Sequence, residues 1–393
     1  MLMIANILAG VVDAAVVLPI SVVSTEIALA VLRRSRLSSN KEEATTPRPT
    51  VGIVVPAHNE HENIARTVRA LAAQLQHGDR LIVVADNCSD DTAALARDAG
   101  AEVIERTNTV DRGKGFALDY GVRHLESTGP TQVGMIVDAD VVPGQGAIDA
   151  LARQALQTNR PAQAVYLLKD QGINPISTLA FRVRNLVRPL GLWRIGGPCP
   201  LFGAGMAFPW DIIAKAPLAS PHLTEDVALA LDLACTGRPP KLCPAALIEG
   251  ESAPSAASTM KQRTRWEHGH LSLIFSHVPR TLVRGVARGS IPAIVLALDV
   301  MVPPLSLLVM LSVAVSALML LLALVKLIAP IFAIVPIGMT LVLALMLLAA
   351  AERFAPGVAG PAAMARYAIG KMSIYTGFLF KRQKSWQRTD RVA

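Results

Sequence analysis

Two carboxylates one residue apart, Asp138 and Asp140, follow directly on the apolar run Met135–Val137. Just beyond the end of a buried strand, such a pair can hold a hard divalent cation. That cation can bridge a diphosphate and neutralise charge building on a leaving group. An Asp-x-Asp alone is a common surface feature, and its weight here comes from its companions. The run Val51–Val55 leads into Pro56-Ala57-His58-Asn59-Glu60, and Leu81–Ala85 leads into Asp86-Asn87-Cys88-Ser89-Asp90-Asp91. Three polar clusters after three strand-length runs converge on one site when the strands are parallel, because ligands bind beyond the carboxyl ends of such strands.

Later segments add further candidates. Thr224-Glu225-Asp226 opens a helical run to Leu233, and two readings stand. Thr224 caps a helix whose dipole favours the acids, or a carboxylate is placed to draw a proton from a nucleophile. Arg112 and Lys114 beside Gly113 are loop charges or a cationic grip, and Arg263 reads as a solvated charge. Trp266 alone would be core or a membrane-interface aromatic. His268 and His270 lack a third ligand and read as local polar residues rather than a metal site. Gly203-Ala204-Gly205 permits a close turn beside the site.

These residues need a scaffold that alternates strands with helices. Ile64, Val68, Leu71 and Leu75 recur at helical spacing behind Asn59, which reads as the N-cap. Alternation of this kind predicts βαβ units and a mostly parallel sheet covered on both faces. The chain of 393 residues suits one domain of about 250 residues plus membrane segments. Its hydrophobic fraction of 52% and mean hydropathy of +0.42 exceed what a soluble domain needs, and the excess sits at 4–32 and 291–351. The first run is longer than the roughly 20 residues that span a bilayer and reads as a retained anchor. Its Asp13 and Glu26 are expected to contact the other spans or to lie near the interfaces. Pro303, Pro304, Pro330 and Pro336 divide the second run into two spans, near 293–322 and 331–351, with Lys326 in the turn. The stretch 363–380 carries Arg366 and Lys371, which favours a helix in the membrane interface over a further span.

The resulting divisions are an anchor over 1–36, a linker over 37–50, a globular domain over 51–275, a basic interfacial segment over 276–290, a transmembrane hairpin over 291–352 and a basic tail over 353–393. The net charge of +8 clusters beside the apolar runs, at Arg33, Arg34 and Arg36 and at Arg280, Arg284 and Arg288. By the positive-inside rule these flanks are cytoplasmic and the Lys326 turn faces the periplasm. Nucleic acid is an unsuitable partner, since aromatics are 4% and do not interleave with basic residues. Cys88, Cys199, Cys235 and Cys243 have neither zinc-site nor disulfide-framework spacing and read as reduced thiols.

Taken in order, the motifs resemble the membrane-bound inverting family 2 glycosyltransferases, in the branch with cellulose, hyaluronan and poly-N-acetylglucosamine synthases. The resemblance covers about 50–275. It rests on Pro56 to Glu60, Asp86 to Asp91, Arg112-Gly113-Lys114-Gly115, Asp138 to Asp140, Thr224-Glu225-Asp226 and Gln262-Arg263-Thr264-Arg265-Trp266. It implies a GT-A (Rossmann-like) α/β domain flanked by transmembrane helices, in a multi-pass enzyme of the bacterial inner membrane with its catalytic domain in the cytoplasm. It further implies a hexosyltransferase using a nucleotide-sugar, UDP first, and Mg2+ or Mn2+, with a glycan or lipid-linked acceptor and polysaccharide-export components as partners. By the same resemblance Pro56, Glu60, Asp86, Lys114, Asp138 and Ala139 would bind the nucleotide-sugar, and Asp140 the metal. Asp226 would be the general base, supported by Glu225 and Thr224, while Gln262, Arg265 and Trp266 would face the diphosphate and acceptor. Ala85 and Asn87 depart from the usual second motif, where a second acid and a glycine stand, and this alters the base pocket. Single transfer to a membrane lipid and a noncatalytic scaffold are the competing expectations. The scaffold predicts loss of the acids, whereas Asp138, Asp140 and Asp226 are all present.

Overall fold

The computed structural model describes residues 2–32, 47–169, 175–220, 223–251, 256–357 and 360–381. Most of the linker, Arg33, Arg34, Arg36 and the end of the basic tail therefore lie outside the described residues. The chain opens with α1 (Leu2–Leu32), a continuous apolar helix. It is followed by β1 (Val51–Ala57), α2 (Ile64–Ala72), β2 (Arg80–Asp86), α3 (Thr92–Asp98), β3 (Glu102–Arg106), α4 (Lys114–Thr128) and β4 (Val133–Ile136). The four strands run parallel in the order β3-β2-β1-β4. Both faces are covered, which is why the strands are near-continuous apolar runs. Val51, Ile53 and Val55 pack with Ile64, Val68 and Leu71 of α2 on one side. On the other, Val54, Ile82 and Val84 pack with Leu118, Val122 and Leu125 of α4.

The second half of the domain comprises β5 (Val141–Pro143), α5 (Ala147–Thr158), β6 (Ala162–Lys169), α6 (Pro175–Arg182), a π-helical turn over Val183–Val187, α7 (Arg188–Trp193), β7 (Met206–Pro209), α8 (Trp210–Ile213), α9 (Glu225–Cys235) and β8 (Lys241–Glu251). It extends the sheet as β4-β7-β6-β8-β5, antiparallel except between β6 and β8. The helix behind β1 starts at Ile64 rather than at Asn59. Asn59 has φ +55°, and its Oδ1 accepts the Ser89 amide at 2.7 Å, so it closes a turn between two strand ends and does not cap α2.

Five of the remaining helices carry the chain to and through the apolar region: α10 (Ala256–Ser276), α11 (Val278–Ala287), α12 (Ile291–Met301), α13 (Leu305–Leu324) and α14 (Ile331–Phe354). The last two are α15 (Pro361–Gly370) and α16 (Met372–Phe380). Among the described residues three helices, α1, α13 and α14, are long and apolar enough to cross a membrane. They pack through Ile20, Val23 and Ile27 against Leu308, Leu343 and Leu347, while Leu321, Leu341 and Leu345 point outward. The expected first arm near 293–322 is instead two helices. Pro303 and Pro304 end α12, which packs its Ala293, Leu296 and Ala297 against α9 of the globular domain. At 10 and 9 residues, α15 and α16 are each too short to span.

The anchor is tied to the globular domain by charge as well as packing. Arg188 of α7 donates through Nε to Glu26 Oε2 at 2.6 Å and through Nη2 to Asp299 Oδ1 at 2.7 Å. All three residues are buried. Glu26 thus pairs with the globular domain and not, as expected, with another span. Asp13 is buried among the helices, and its Oδ1 has no hydrogen-bond partner among the described residues. Arg194 donates to the carbonyls of Leu29 and Ala30, which satisfies the last turn of α1. Approach is close enough that a Cβ on Gly191 would collide with the Glu26 carbonyl oxygen. At the opposite end of α1, Asn6 Oδ1 accepts the Ala329 amide at 2.9 Å, so the α13–α14 turn sits far from the globular domain.

Candidate active site

A cleft of about 770 Å³ opens at the carboxyl ends of β1, β2 and β4. The nucleotide-side candidates Pro56, Glu60, Asp86, Lys114, Asp138 and Ala139 all line it. So do Asp140, the trio Thr224, Glu225 and Asp226, and Gln262, Arg265 and Trp266. Thirteen candidates named from sequence thus share one cavity. Gln262, Arg265 and Trp266 reach it together because spacings of three and four residues stack on one face of α10.

On the nucleotide side, Asp86 ends β2 almost fully buried, and its Oδ1 accepts from Arg106 Nη1 at 2.6 Å and from Asn87 Nδ2 at 3.0 Å. Glu60 is held by its own amide, which donates to Thr92 Oγ1 at 2.8 Å. At the centre, Lys114 opens α4 and spans the cleft floor. Its Nζ lies 2.5 Å from Asp138 Oδ1 and donates to the Gly203 carbonyl at 2.9 Å. Burial alone would lower the Lys114 ammonium, but the charges of Asp138, Glu225 and Asp226 raise it above its usual range. Gly203 adopts φ +84°, and a Cβ there would meet Lys114 Nζ at 3.1 Å and Asp226 Oδ2 at 3.2 Å. Gly203 therefore lets the ammonium and the carboxylate approach one backbone segment.

Opposite stand the acids at the start of α9. Thr224 occupies the N-cap position but makes no side-chain cap bond, so the capping reading is not what its hydroxyl does. Asp226 Oδ1 accepts the Val227 amide at 2.8 Å. Burial pushes the Asp226 carboxyl above its ordinary range, opposed by Lys114, the Val227 amide and Arg184. Glu225 is pushed up to about 7 by burial and by the Asp226 charge beside it. Two adjacent carboxyls with raised proton affinity suit general-base chemistry near neutrality.

Several cleft residues escaped the sequence reading. Tyr166 on β6 and Phe181 on α6 stack edge to face at 5.4 Å, and Phe181 meets Trp266 at 5.9 Å, which makes an aromatic wall suited to an apolar sugar face. Arg184 projects from the π-helical turn, an irregularity found often at functional sites. Arg263, read as solvated, is instead partly buried and donates to the Ser177 hydroxyl. His268 and His270 are buried, with Nε2 contacts of 2.8 Å to the Ile374 carbonyl and 2.9 Å to the Val302 carbonyl. All four cysteines are free thiols.

The sequence model described as "Glycosyltransferase like family 2" matches residues 47–269, the whole of the sheet and the α10 motif. The chain belongs to glycosyltransferase-like family 2. Among relatives of the chain, the probable glycosyltransferase YdaM of Bacillus subtilis is 29% identical over 238 residues, 56% of this chain and 55% of that protein. The 4,4'-diaponeurosporenoate glycosyltransferase of Staphylococcus haemolyticus is 28% identical over 171 residues, 38% of this chain and 44% of that one. The chain thus spans about half the length of the curated relatives it matches. Among solved structures, the mannosyltransferase PcManGT of Pyrobaculum calidifontis, in complex with GDP-Man and Mn2+, aligns with a TM-score of 0.51 at 18% identity. The alignment covers 87% of this chain and 98% of that one, and at that identity it speaks to the GT-A fold.

Proposed function

We propose that the chain transfers a hexose, with inversion, from a nucleotide-sugar to a hydroxyl of a glycan or lipid-linked acceptor at the cytoplasmic face of a bacterial inner membrane. The observation that carries this reading is the placement of Asp226, its proton affinity raised, across one cleft from Asp138 and Asp140. The acceptor oxygen attacks the anomeric carbon, its proton passes to Asp226, and the carbon–diphosphate bond breaks with its electrons leaving on the nucleotide. Attack from the face opposite the diphosphate inverts that carbon.

Glu60, Asp86 and Lys114 suit the nucleotide, UDP being the donor we favour. Gln262 and Arg265 suit the departing diphosphate, whose charge a positive guanidinium offsets. Trp266, continuing the wall of Phe181 and Tyr166, suits the acceptor ring. Asp138 and Asp140 offer oxygen ligands of the hard type that Mg2+ and Mn2+ take, with Asp140 the principal ligand. Among the described residues no three His, Cys, Asp or Glu side chains form a complete cage, so the donor's phosphates would complete the shell. When bound, the cation supplies charge neutralisation at the leaving diphosphate.

The test is incubation of the purified full chain in nanodiscs with radiolabelled UDP- and GDP-sugars, a divalent cation and a membrane lipid extract, following polymer and lipid products. Asp226→Asn is expected to lose about 10²–10⁴-fold in turnover, and full turnover in that variant would remove Asp226 from the mechanism. The anomeric configuration of the product, read by NMR, checks inversion. Transfer of one sugar to a lipid headgroup, rather than polymerisation, is the second reading. Only three helices of spanning length, too few to frame a polymer channel readily, favour it among the described residues.

A further inference from the structure

A second cavity of about 80 Å³ adjoins the cleft, and Phe181, Arg184 and Trp266 line both. Its far wall is Val302–Ser306, the break between α12 and α13 where the membrane-spanning part of the chain begins. Apolar side chains of Val183, Val302 and Leu305 share that wall with basic ones. The basic residues differ in how far they are neutralised. Arg188 is occupied by Glu26 and Asp299, and Lys371 by Glu267. Arg184 and Arg263 have no carboxylate within ion-pair distance among the described residues, and the one hydrogen bond of Arg263 is to the neutral Ser177 hydroxyl. The first-turn amides of α13, at Leu305 and Ser306, have no intrahelical acceptor and add partial positive charge to the same wall.

We propose that this cavity seats the anionic head group, a phosphate or carboxylate, of an amphiphilic acceptor, with Arg184 and Arg263 as its recognition residues. Its volume holds a head group and no chain, so the apolar tail would leave past Leu305 along the outward side of α13, where Leu311, Leu318 and Leu321 are exposed. The same wall holds a buried acceptor with no hydrogen-bond partner among the described residues, His270 Nδ1. A head group that carries hydroxyls as well as charge satisfies both it and the arginines. Arg184 stands at the neck, near enough to Asp226 to oppose the rise in its carboxyl, so a hydroxyl passing that neck meets the base. The word acceptor here rests on the glycosyltransferase reading; the anion site does not.

The experiment uses the full chain in phosphatidylcholine nanodiscs with fluorescent phosphatidic acid, the matching uncharged diacylglycerol, and inorganic phosphate as separate probes. Phosphatidic acid is expected to bind and diacylglycerol to bind at least about tenfold more weakly. Arg263→Gln and Arg184→Gln should each cost about tenfold in phosphatidic acid affinity, with Arg263→Lys restoring it and thermal unfolding confirming that each variant is folded. Equal binding of the charged and uncharged lipids, or affinity unmoved in both Gln variants, overturns the proposal. Inorganic phosphate binding as tightly as the lipid would overturn the amphiphile. Sugar label transferred from a nucleotide donor should appear in product retained by an anion exchanger. Label in a neutral product overturns this proposal while leaving the transferase reading intact. Lipid binding with no donor turnover would do the reverse.

Discussion

At the scale of single residues, the chemistry turns on how protons are held at the start of α9. Glu225 is pushed up to about 7, so near neutrality it is partly protonated, and burial raises the neighbouring Asp226 carboxyl as well. Because the folded state holds the Glu225 proton more tightly than the unfolded chain, the contribution of this carboxyl to stability is full below the usual carboxylate range. It declines as pH rises through about 7, where the native carboxyl must ionise in place. The pH profile of kcat/KM should show an ionisation near 7 that is absent in Glu225→Gln, and an unchanged inflection would place that proton elsewhere. Asp140→Ala should abolish the response of transfer to added Mg2+ or Mn2+; a metal titration like that of the unaltered chain would remove Asp140 as ligand. Gly203→Ala forces a side chain into φ +84° between Lys114 and Asp226. We expect about 1 kcal/mol of destabilisation by denaturant unfolding, together with a larger loss of kcat than of donor affinity.

At the scale of elements, strand ends gather the site and helix irregularities complete it. The three clusters after β1, β2 and β4 were legible because apolar runs of strand length and their polar ends are local in sequence, and parallel order brings their ends together. The α10 face was legible for the same reason, as a matter of helical spacing. Tyr166, Phe181 and Arg184 were not, because they come from β6, α6 and a π-helical turn whose convergence is tertiary and leaves no periodic trace. Asn59 was misread because the residue types that cap helices also tolerate a left-handed turn, and only the Ser89 bond distinguishes the two. Arg263 was misread because its helical position faces the second cavity, which no pattern within α10 reveals. The Pro303-Pro304 pair was recognised as a break, but that α12 would fold back onto α9 depends on a domain surface outside the segment.

At the scale of the whole molecule, orientation and anchoring are one problem. Asn6 holds the α13–α14 turn at the far end of α1 from Arg188, so the two ends of the helix bundle face opposite aqueous sides if α1 crosses the bilayer. In intact inner-membrane spheroplasts, an amine-reactive impermeant label should reach Lys326 and spare Lys381; the reverse pattern would invert the topology. The inner ends of the spans are less separable from the catalyst than the division at 37–50 suggests. Arg188 sits immediately after the π-helical turn that carries Arg184 into the cleft, and its two counter-charges come from α1 and α12. Removing either carboxylate leaves Arg188 paired with the other but breaks the link between α1, α7 and α12.

That arrangement bears on modularity. A fragment cut behind residue 50 to obtain a water-soluble catalyst would keep every motif and lose Glu26. Arg188 would keep Asp299 but lose its bond to Glu26, and with it the tie between the neighbouring turn and α1, loosening the wall that Arg184 and Phe181 lend to the cleft. Helix α1 thus acts as a structural wedge beside the cleft whatever else it does, and exchanging it for another apolar helix is expected to degrade the shape of the site.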